Sequence, residues 1–137
     1  MLKILCDKYS NLYLSDFEIK QKLVYTYQTL DYFQNLNPDA EIFFIVGADN
    51  LAELKQWKRY EYLVQNYKIL VVKREGEDIE ELLKEHDYNP NIIVTDVDMN
   101  STSSTKIREM IKTNNQQVKK YMDSKVLDYL MQNNLYV

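Results

Sequence analysis

Glycine and proline are scarce in this chain, with two of each among 137 residues. Because these two residue types make most tight turns, Asn, Asp and Ser must form most of the connections instead. The single cysteine, Cys6, excludes an internal disulfide framework and a zinc site built from several cysteines. The single histidine, His86, leaves a classical zinc site poorly supplied, and its position favours a structural role at the end of a helix.

Charge and hydropathy narrow the class of protein further. The formal net charge of -4 argues against a general nucleic-acid-binding surface, although one local basic pocket remains compatible with it. No apolar run approaches the length of a membrane span, and no signal peptide opens the sequence. We therefore expect a soluble, cytoplasmic protein with neither a nucleic acid nor a membrane as partner.

Short apolar runs alternate with longer amphipathic segments over most of the chain. The predicted strands are 41–49, 67–74 and 91–97, and the predicted helices are 50–64, 78–86, 103–113 and 123–134. This order predicts an α/β fold with a doubly wound, Rossmann-like parallel sheet, whose first strand, 41–49, is buried on both faces. With no break in composition, one domain over residues 1–137 is the simplest division.

The N-terminal part of the sequence is less regular. Residues 11–19 alternate in hydrophobicity and predict a strand, whereas residues 25–37 predict a helix that ends at Asn-Pro. Residues 1–10 resemble the end of a helix whose start signal is not visible.

Ligands in open α/β sheets bind beyond the carboxyl ends of the strands, which directs attention to the residues that follow them. Gly47 either allows a ligand to approach the backbone or makes a tight turn, and Asp49 either accepts hydrogen bonds from a ribose or an amine or caps the next helix. Trp57, the only tryptophan, either stacks on an aromatic ligand or packs in the core. Arg74 follows the second strand, where a phosphate ligand is plausible but exposed arginines are common.

The stretch "NSTSSTKIREMIK", residues 100–112, is the strongest candidate site. Ser and Thr are common N-caps, but a helix N-terminus also offers free N–H groups and a positive dipole to an anion. Ser104 and Thr105 add hydroxyls, and Arg108 lies one turn further on the same face. Lys106 and Arg108 oppose the dipole in the first turn, and a bound anion would reverse that penalty. The pattern therefore favours an anion site over a simple cap.

The same stretch contains "TSSTKIR" (102–108), which resembles the ISSTxIR motif of nicotinate- and nicotinamide-mononucleotide adenylyltransferases, with Thr102 in place of Ile. Further segments resemble the family in the same order: "YLSDFE" (13–18), "YTYQTL" (25–30), "FFIVGADNLAELKQWKRYEYL" (43–63) and "VVKREG" (71–76). The resemblance extends over nearly the whole chain, and its order and spacing are those of the bacterial nicotinate-mononucleotide branch.

The resemblance implies the nucleotidylyltransferase fold and a reaction in NAD biosynthesis. ATP, accompanied by Mg²⁺, would transfer its adenylyl group to nicotinate mononucleotide, giving deamido-NAD and pyrophosphate, with no metal site built by the protein itself. The implied ATP contacts are Ser104, Thr105 and Arg108 at the triphosphate and Gly47 and Asp49 at the adenosine or its ribose. The implied contacts of the mononucleotide are Trp57 stacked on the nicotinate ring, Tyr25 with Thr26 along the pocket, and Arg74 at the phosphate.

One departure from the family pattern is large. The family's Gly-x-Phe-Asp-Pro-x-His-x-Gly-His signature is absent, so the resemblance assigns no catalytic residue to this chain. We expect residues 1–137 to be the C-terminal two thirds of the domain, without its N-terminal strands, and to be inactive alone. Strand 42–46 would then be an exposed apolar edge through which copies of the chain could associate.

Two alternatives stay open at this point. One is another nucleotidyltransferase of the same fold, acting on nicotinamide mononucleotide or phosphopantetheine. The other is a nucleotide-binding or interaction module without catalysis, in which the signature is truly lost.

Overall fold

A small parallel β-sheet organises the larger part of the fold. The computed structural model describes residues 1–22, 24–73, 78–95 and 103–136. Its strands are β1 (Phe43–Gly47), β2 (Lys68–Val72) and β3 (Ile92–Val94). They lie in the order β1-β2-β3, and both pairs of neighbours run parallel. The α/β class and the parallel sheet predicted from the sequence are confirmed.

Eight α-helices lie within the described ranges. They are α1 (Leu2–Cys6), α2 (Phe17–Gln21), α3 (Thr26–Leu36), α4 (Ala48–Glu53), α5 (Tyr60–Asn66), α6 (Glu80–Glu85), α7 (Ser104–Lys112) and α8 (Ser124–Gln132). Two 3₁₀ helices, Leu54–Gln56 and Gln116–Lys120, supplement them. In this described part, none of the helices combines the length and apolarity that a membrane crossing requires.

The chain forms two compact units. One comprises Met1–Asp16 and Thr102–Val137, and the other comprises Phe17–Ser101 with all three strands. One domain over residues 1–137 stays a prediction.

In the first unit, the core is formed by α7, α8 and the 3₁₀ helix between them, through Met110, Ile111, Val118, Val126, Leu127 and Leu130. Asp123 caps α8, accepting hydrogen bonds from the Lys125 and Val126 N–H groups at 3.0 and 3.3 Å.

The core of the second unit lies on one face of the sheet. Val46, Ile69, Val71 and Ile92 are buried on that face together with Leu51, Leu54 and Val64. Phe43 and Ile45 point to the opposite face and are 45% and 64% exposed. The prediction that the first strand is buried on both faces is therefore wrong, because the described part of this unit covers only one face of β1.

The predicted strand over residues 11–19 is also wrong. The sheet contains only β1, β2 and β3 among the described residues, so no neighbouring strand supplies hydrogen bonds to this segment. The side chains of Leu12 and Leu14 are exposed, and Tyr13 is 89% exposed. At Phe17 the backbone enters α2, where the Phe17 ring stacks on Tyr32 with 3.9 Å between ring centroids.

The predicted helix over residues 50–64 is interrupted. Helix α4 ends at Glu53, a 3₁₀ turn follows, and Trp57 is extended, with φ −73° and ψ 147°. Arg59 then adopts a left-handed conformation, with φ 59° and ψ 44°, and α5 begins at Tyr60. For a residue other than glycine, this conformation costs roughly 1–2 kcal/mol.

Packing explains the interruption. Leu54 is fully buried, and an unbroken helix would place Lys58 and Glu61 on the same face one and two turns later. The break rotates the second half of the segment, so that Leu63 and Val64 are buried instead. Burial of two apolar side chains offsets the cost of the left-handed residue.

The Asp31 carboxylate joins α3 to α5 and to the start of β2. One of its oxygens accepts hydrogen bonds from the hydroxyls of Tyr62, at 2.7 Å, and Tyr67, at 2.5 Å. Burial, followed by the hydrogen bond to Asp31, raises the pKa of Tyr67 above its ordinary value. The hydrogen bond to Asp31 also raises the pKa of Tyr62. Both phenols therefore keep their protons in the folded chain at pH values where the unfolded chain loses them.

This network predicts a loss of stability at alkaline pH. A folded-state pKa above the unfolded value contributes stability at neutral pH, which is lost as the pH rises above about 10. We expect the free energy of unfolding to fall above that pH, and Tyr67→Phe to make the fall less steep. Urea denaturation followed by circular dichroism between pH 8 and about 11 measures both slopes. Tyr13→Phe, at a hydrated position, should leave the slope unchanged; an equal effect of both substitutions would contradict the role of the network.

Candidate active site

Three residues predicted to form a site line one cleft in the second unit. The cleft has a volume of about 310 Å³ and is lined by Val24, Tyr25, Thr26, Trp57 and Lys58. Tyr25 precedes α3, and its backbone N–H donates to the Gln28 side-chain oxygen at 2.9 Å, which fixes the start of that helix. The segment before α3 and the break between α4 and α5 thus meet, although they are far apart in the sequence.

Trp57 combines the two roles that its sequence position left open. Its ring packs edge-to-face against Phe44 of β1, with 6.0 Å between ring centroids, and contributes to the core of the second unit. It is nevertheless only half-buried, because it also lines the cleft. A large aromatic ring anchored in the core can present a rigid apolar surface to a planar ligand.

Val24 and Lys58 are the two lining residues that the sequence did not single out, and Lys58 is the charged one. It is exposed and supplies the only charge among the five residues around this cleft. Exposed lysines are frequent on protein surfaces, so the one available signal was its position directly after the only tryptophan. Its ammonium group makes the cleft suitable for an anionic ligand.

Gly47 and Asp49 lie where β1 turns into α4. Gly47 is the N-cap residue of α4, and a methyl group added to it would lie 2.5 Å from the Asp49 carboxylate. Asp49 lies in the first turn, where its Oδ1 accepts a hydrogen bond from the Asn50 N–H at 3.0 Å. The space above Gly47 is therefore filled by the carboxylate of its own helix.

Asp49 also faces a second cleft, of about 270 Å³. Asp78, at the N-terminal side of α6, lines it as well, together with apolar side chains of α4 and α6. Carboxylate oxygens accept hydrogen bonds from hydroxyl groups, so this surface suits the hydroxyls of a ribose. The contact predicted for Gly47 and Asp49 stays a prediction.

At the start of α7, the residue that caps the helix is not one of the residues predicted to bind an anion. Ser103 is the N-cap, with its Oγ accepting from the Lys106 N–H at 3.2 Å. The exposed hydroxyls of Ser104 and Thr105 are therefore not required for capping. The Arg108 guanidinium donates to Thr105 Oγ1 at 3.4 Å, which brings the three predicted residues together on the first turns of the helix.

A cavity of about 220 Å³ lies beside this helix start, within the first unit. Ser104 and Arg108 line it together with apolar side chains of α7 and α8. The Arg108 guanidinium also lies 6.0 Å from the centre of the Tyr136 ring. Residues 96–102, which contain Thr102 and the end of the predicted third strand, lie outside the described residues, as does Arg74.

His86 has the structural role predicted from its position. It is 2% exposed at the end of α6, and its Nε2 lies 2.9 Å from the Leu51 carbonyl oxygen. Because a carbonyl only accepts, Nε2 carries the proton and Nδ1 accepts from the Tyr60 hydroxyl at 2.8 Å. Burial raises the pKa of Tyr60, so that hydroxyl remains a donor. Both ring nitrogens of His86 are therefore engaged within the core.

Comparisons with known proteins identify the class. Residues 1–110 match the model of the cytidylyltransferase-like family. A probable nicotinate-nucleotide adenylyltransferase of Endomicrobium trichonymphae is 36% identical over 137 residues, covering 99% of this chain and 70% of the relative. A relative of the same name from Clostridium botulinum is 37% identical over 143 residues, covering 99% of this chain and 71% of its own length.

Solved structures agree with the sequence relatives. The Plasmodium falciparum nicotinic acid mononucleotide adenylyltransferase, complexed with APC, superimposes with a TM-score of 0.78 at 25% identity, covering 99% of this chain and 72% of that protein. Its complex with NaAD gives the same TM-score and identity. The fold is thus that of the nucleotidyltransferases. Within that class, this chain belongs to the cytidylyltransferase-like family and, among its members, to the nicotinate-nucleotide adenylyltransferases.

Proposed function

We propose that the protein is an enzyme that transfers the adenylyl group of ATP to nicotinate mononucleotide, giving deamido-NAD and pyrophosphate, and that residues 1–137 by themselves bind these substrates but do not catalyse the transfer. Membership of the family and the likeness to an enzyme solved with NaAD support this reaction. The observation that supports it most directly is the cleft in which Tyr25 and Thr26 face Trp57.

The proposed role of this cleft is to bind the mononucleotide. Trp57 stacks on the nicotinate ring, while Tyr25 and Thr26 line the rest of the pocket. Nicotinate mononucleotide carries a ring carboxylate and a phosphate, and the Lys58 ammonium attracts such anions. Arg74 remains proposed as a further phosphate contact.

The proposed ATP contacts belong to two helix starts. Ser104, Thr105 and Arg108 bind the triphosphate, where the free N–H groups and the dipole of α7 favour negative charge. Gly47 and Asp49 contact the adenosine or its ribose at the start of α4. The separate cap at Ser103 supports a ligand role for the hydroxyls that follow it.

In the proposed reaction, a phosphate oxygen of the mononucleotide attacks the α-phosphorus of ATP. The new P–O bond forms as the bond to the β-phosphate breaks, and pyrophosphate leaves. This chemistry requires positioning and charge neutralisation rather than a covalent nucleophile. Within the described ranges no group of three or more His, Cys, Asp or Glu side chains is arranged to hold a metal ion. We propose that Mg²⁺ accompanies ATP, bound to its phosphates.

Further proposals concern the chain as a whole. We propose that residues 1–137 correspond to the C-terminal two thirds of the family's domain and function in the cytoplasm. The 70–71% coverage of the relatives supports the proposed share of the domain. The position of β1 at the end of the strand order, with Phe43 and Ile45 exposed on one face, supports association of copies through that edge of the sheet.

Trp57 makes binding of the mononucleotide directly measurable, because its fluorescence is free of other tryptophans. We expect nicotinate mononucleotide to quench it saturably, since the ring stacks on the indole. Tyr25→Ala should weaken the affinity about tenfold through loss of an aromatic contact. Tyr13→Ala, which removes a tyrosine that is 89% exposed, is the matched control and should bind as the wild type does. Absence of saturable quenching, or equal effects of the two substitutions, would contradict the proposal.

Arg108→Ala tests the triphosphate contact. We expect ATP affinity to fall about 10- to 100-fold, because a charge-assisted hydrogen bond to phosphate is lost. Isothermal titration calorimetry measures the affinity, and circular dichroism checks that the helices remain. Lys112→Ala, in the last turn of the same helix, removes an equal charge and should change ATP binding little. Unchanged affinity in Arg108→Ala would leave the start of α7 as an ordinary helix cap.

A further inference from the structure

Arg59 has an unusual backbone conformation directly beside the proposed mononucleotide cleft. It follows the lining residues Trp57 and Lys58 and is left-handed, with φ 59°. The chain departs from a helical path at two residues here, the extended Trp57 and the left-handed Arg59. The left-handed residue sets the direction in which the chain enters α5 after Trp57 and Lys58.

Two tyrosine rings surround the Arg59 side chain. Its guanidinium carbon lies 4.9 Å from the centre of the Tyr27 ring and 4.3 Å from the centre of the Tyr62 ring. Tyr27 belongs to α3 and Tyr62 to α5, so one cation joins the two helices. Asp31 of α3 supports the arrangement, because it accepts the hydrogen bond from the Tyr62 hydroxyl.

One of these two rings, that of Tyr27, also contacts a residue that lines the cleft. The ring of Tyr25, which lines the cleft, stacks on the ring of Tyr27, with 6.1 Å between centroids and 9° between planes. Arg59 thus contacts the ring behind Tyr25 on one side and is bonded through the backbone to Trp57 and Lys58 on the other. Its position links both walls of the cleft.

We propose that Arg59 is a positioning residue for the mononucleotide. Core packing sets the break, and the guanidinium, held by Tyr27 and Tyr62, adds contacts that hold residue 59 left-handed and so keep Trp57 and Lys58 in one cleft with Tyr25 and Thr26. Strained backbone persists where surrounding contacts determine it, and such residues concentrate at functional sites. This inference rests on the proposed function, since it assigns Arg59 to the same cleft.

Arg59→Met tests the role, because methionine keeps much of the side-chain length and removes the cation. We expect nicotinate mononucleotide, measured by quenching of Trp57, to bind about five- to tenfold more weakly, as two exposed cation–π contacts are lost. ATP affinity, measured by calorimetry, should stay within about twofold of wild type. Arg59→Lys, which restores a cation of different shape, should give an intermediate affinity for the mononucleotide.

Lys55→Met is the matched control, since it removes an exposed positive charge from the 3₁₀ turn nearby. If the wild type binds the mononucleotide and Arg59→Met binds like Lys55→Met, the positioning role is refuted while the proposed function stands. Equal losses of mononucleotide and ATP affinity would show a general structural role and refute it too. A wild type that binds no mononucleotide would overturn both proposals.

A second variant covers the case in which Arg59→Met fails to fold. Tyr27→Leu leaves the sequence of the break intact and removes one of the two rings around the guanidinium, together with the partner of Tyr25. We expect the same selective loss of mononucleotide affinity. A folded Tyr27→Leu variant with unchanged affinity would overturn the inference.

Discussion

Burial of one face of the parallel sheet positions nearly everything else in the second unit. Ile69 and Val71 on the central strand are fully buried, with Val46 and Ile92 beside them. Leu51 and Leu54 cover this face from the segment that follows β1. Because the chain must bury these two leucines immediately after Gly47, α4 is short, and the chain breaks before it can bury Leu63 and Val64. The break at Trp57 is a consequence of core packing.

The cleft depends on that break. A continuous helix would have placed Trp57 within a regular turn, whereas the extended backbone lets its ring contact Phe44 and still line a surface cleft. Side-chain hydrogen bonds then fix the positions of the surrounding helices. Asp31 accepts from Tyr62 and Tyr67, and His86 joins Leu51 to Tyr60. These groups make no contact with a ligand in the proposal, but they fix the elements from which the cleft is built.

The pattern of apolar residues was sufficient to predict several helices and strands. The helices from Thr26 and Ser124 follow from apolar spacing and their end signals, and the apolar run over β2 predicted a buried strand. The strand predicted over 11–19 fails because alternation describes a side-chain pattern and contains no information about a partner strand. The break at Arg59 was equally hidden, since the left-handed residue is an arginine rather than the glycine that would have signalled it.

The candidate site was predictable to a different degree for each residue. Trp57 was a candidate as the only tryptophan and a family resemblance added Tyr25 and Thr26, but only the three-dimensional fold places them around one cleft with Lys58. Spacing alone indicated that Ser104, Thr105 and Arg108 share a helix start, but it did not reveal that Ser103 is the cap.

The central claim is that the cleft between Tyr25 and Trp57 binds nicotinate mononucleotide, and NMR tests it most directly. In the ¹⁵N-labelled 137-residue chain, addition of the mononucleotide should cause its largest shift changes at the amides of Tyr25, Thr26 and Lys58 and at the Trp57 indole N–H. Saturable binding that leaves these four signals unmoved and shifts the amides of α6 or α8 instead would contradict it.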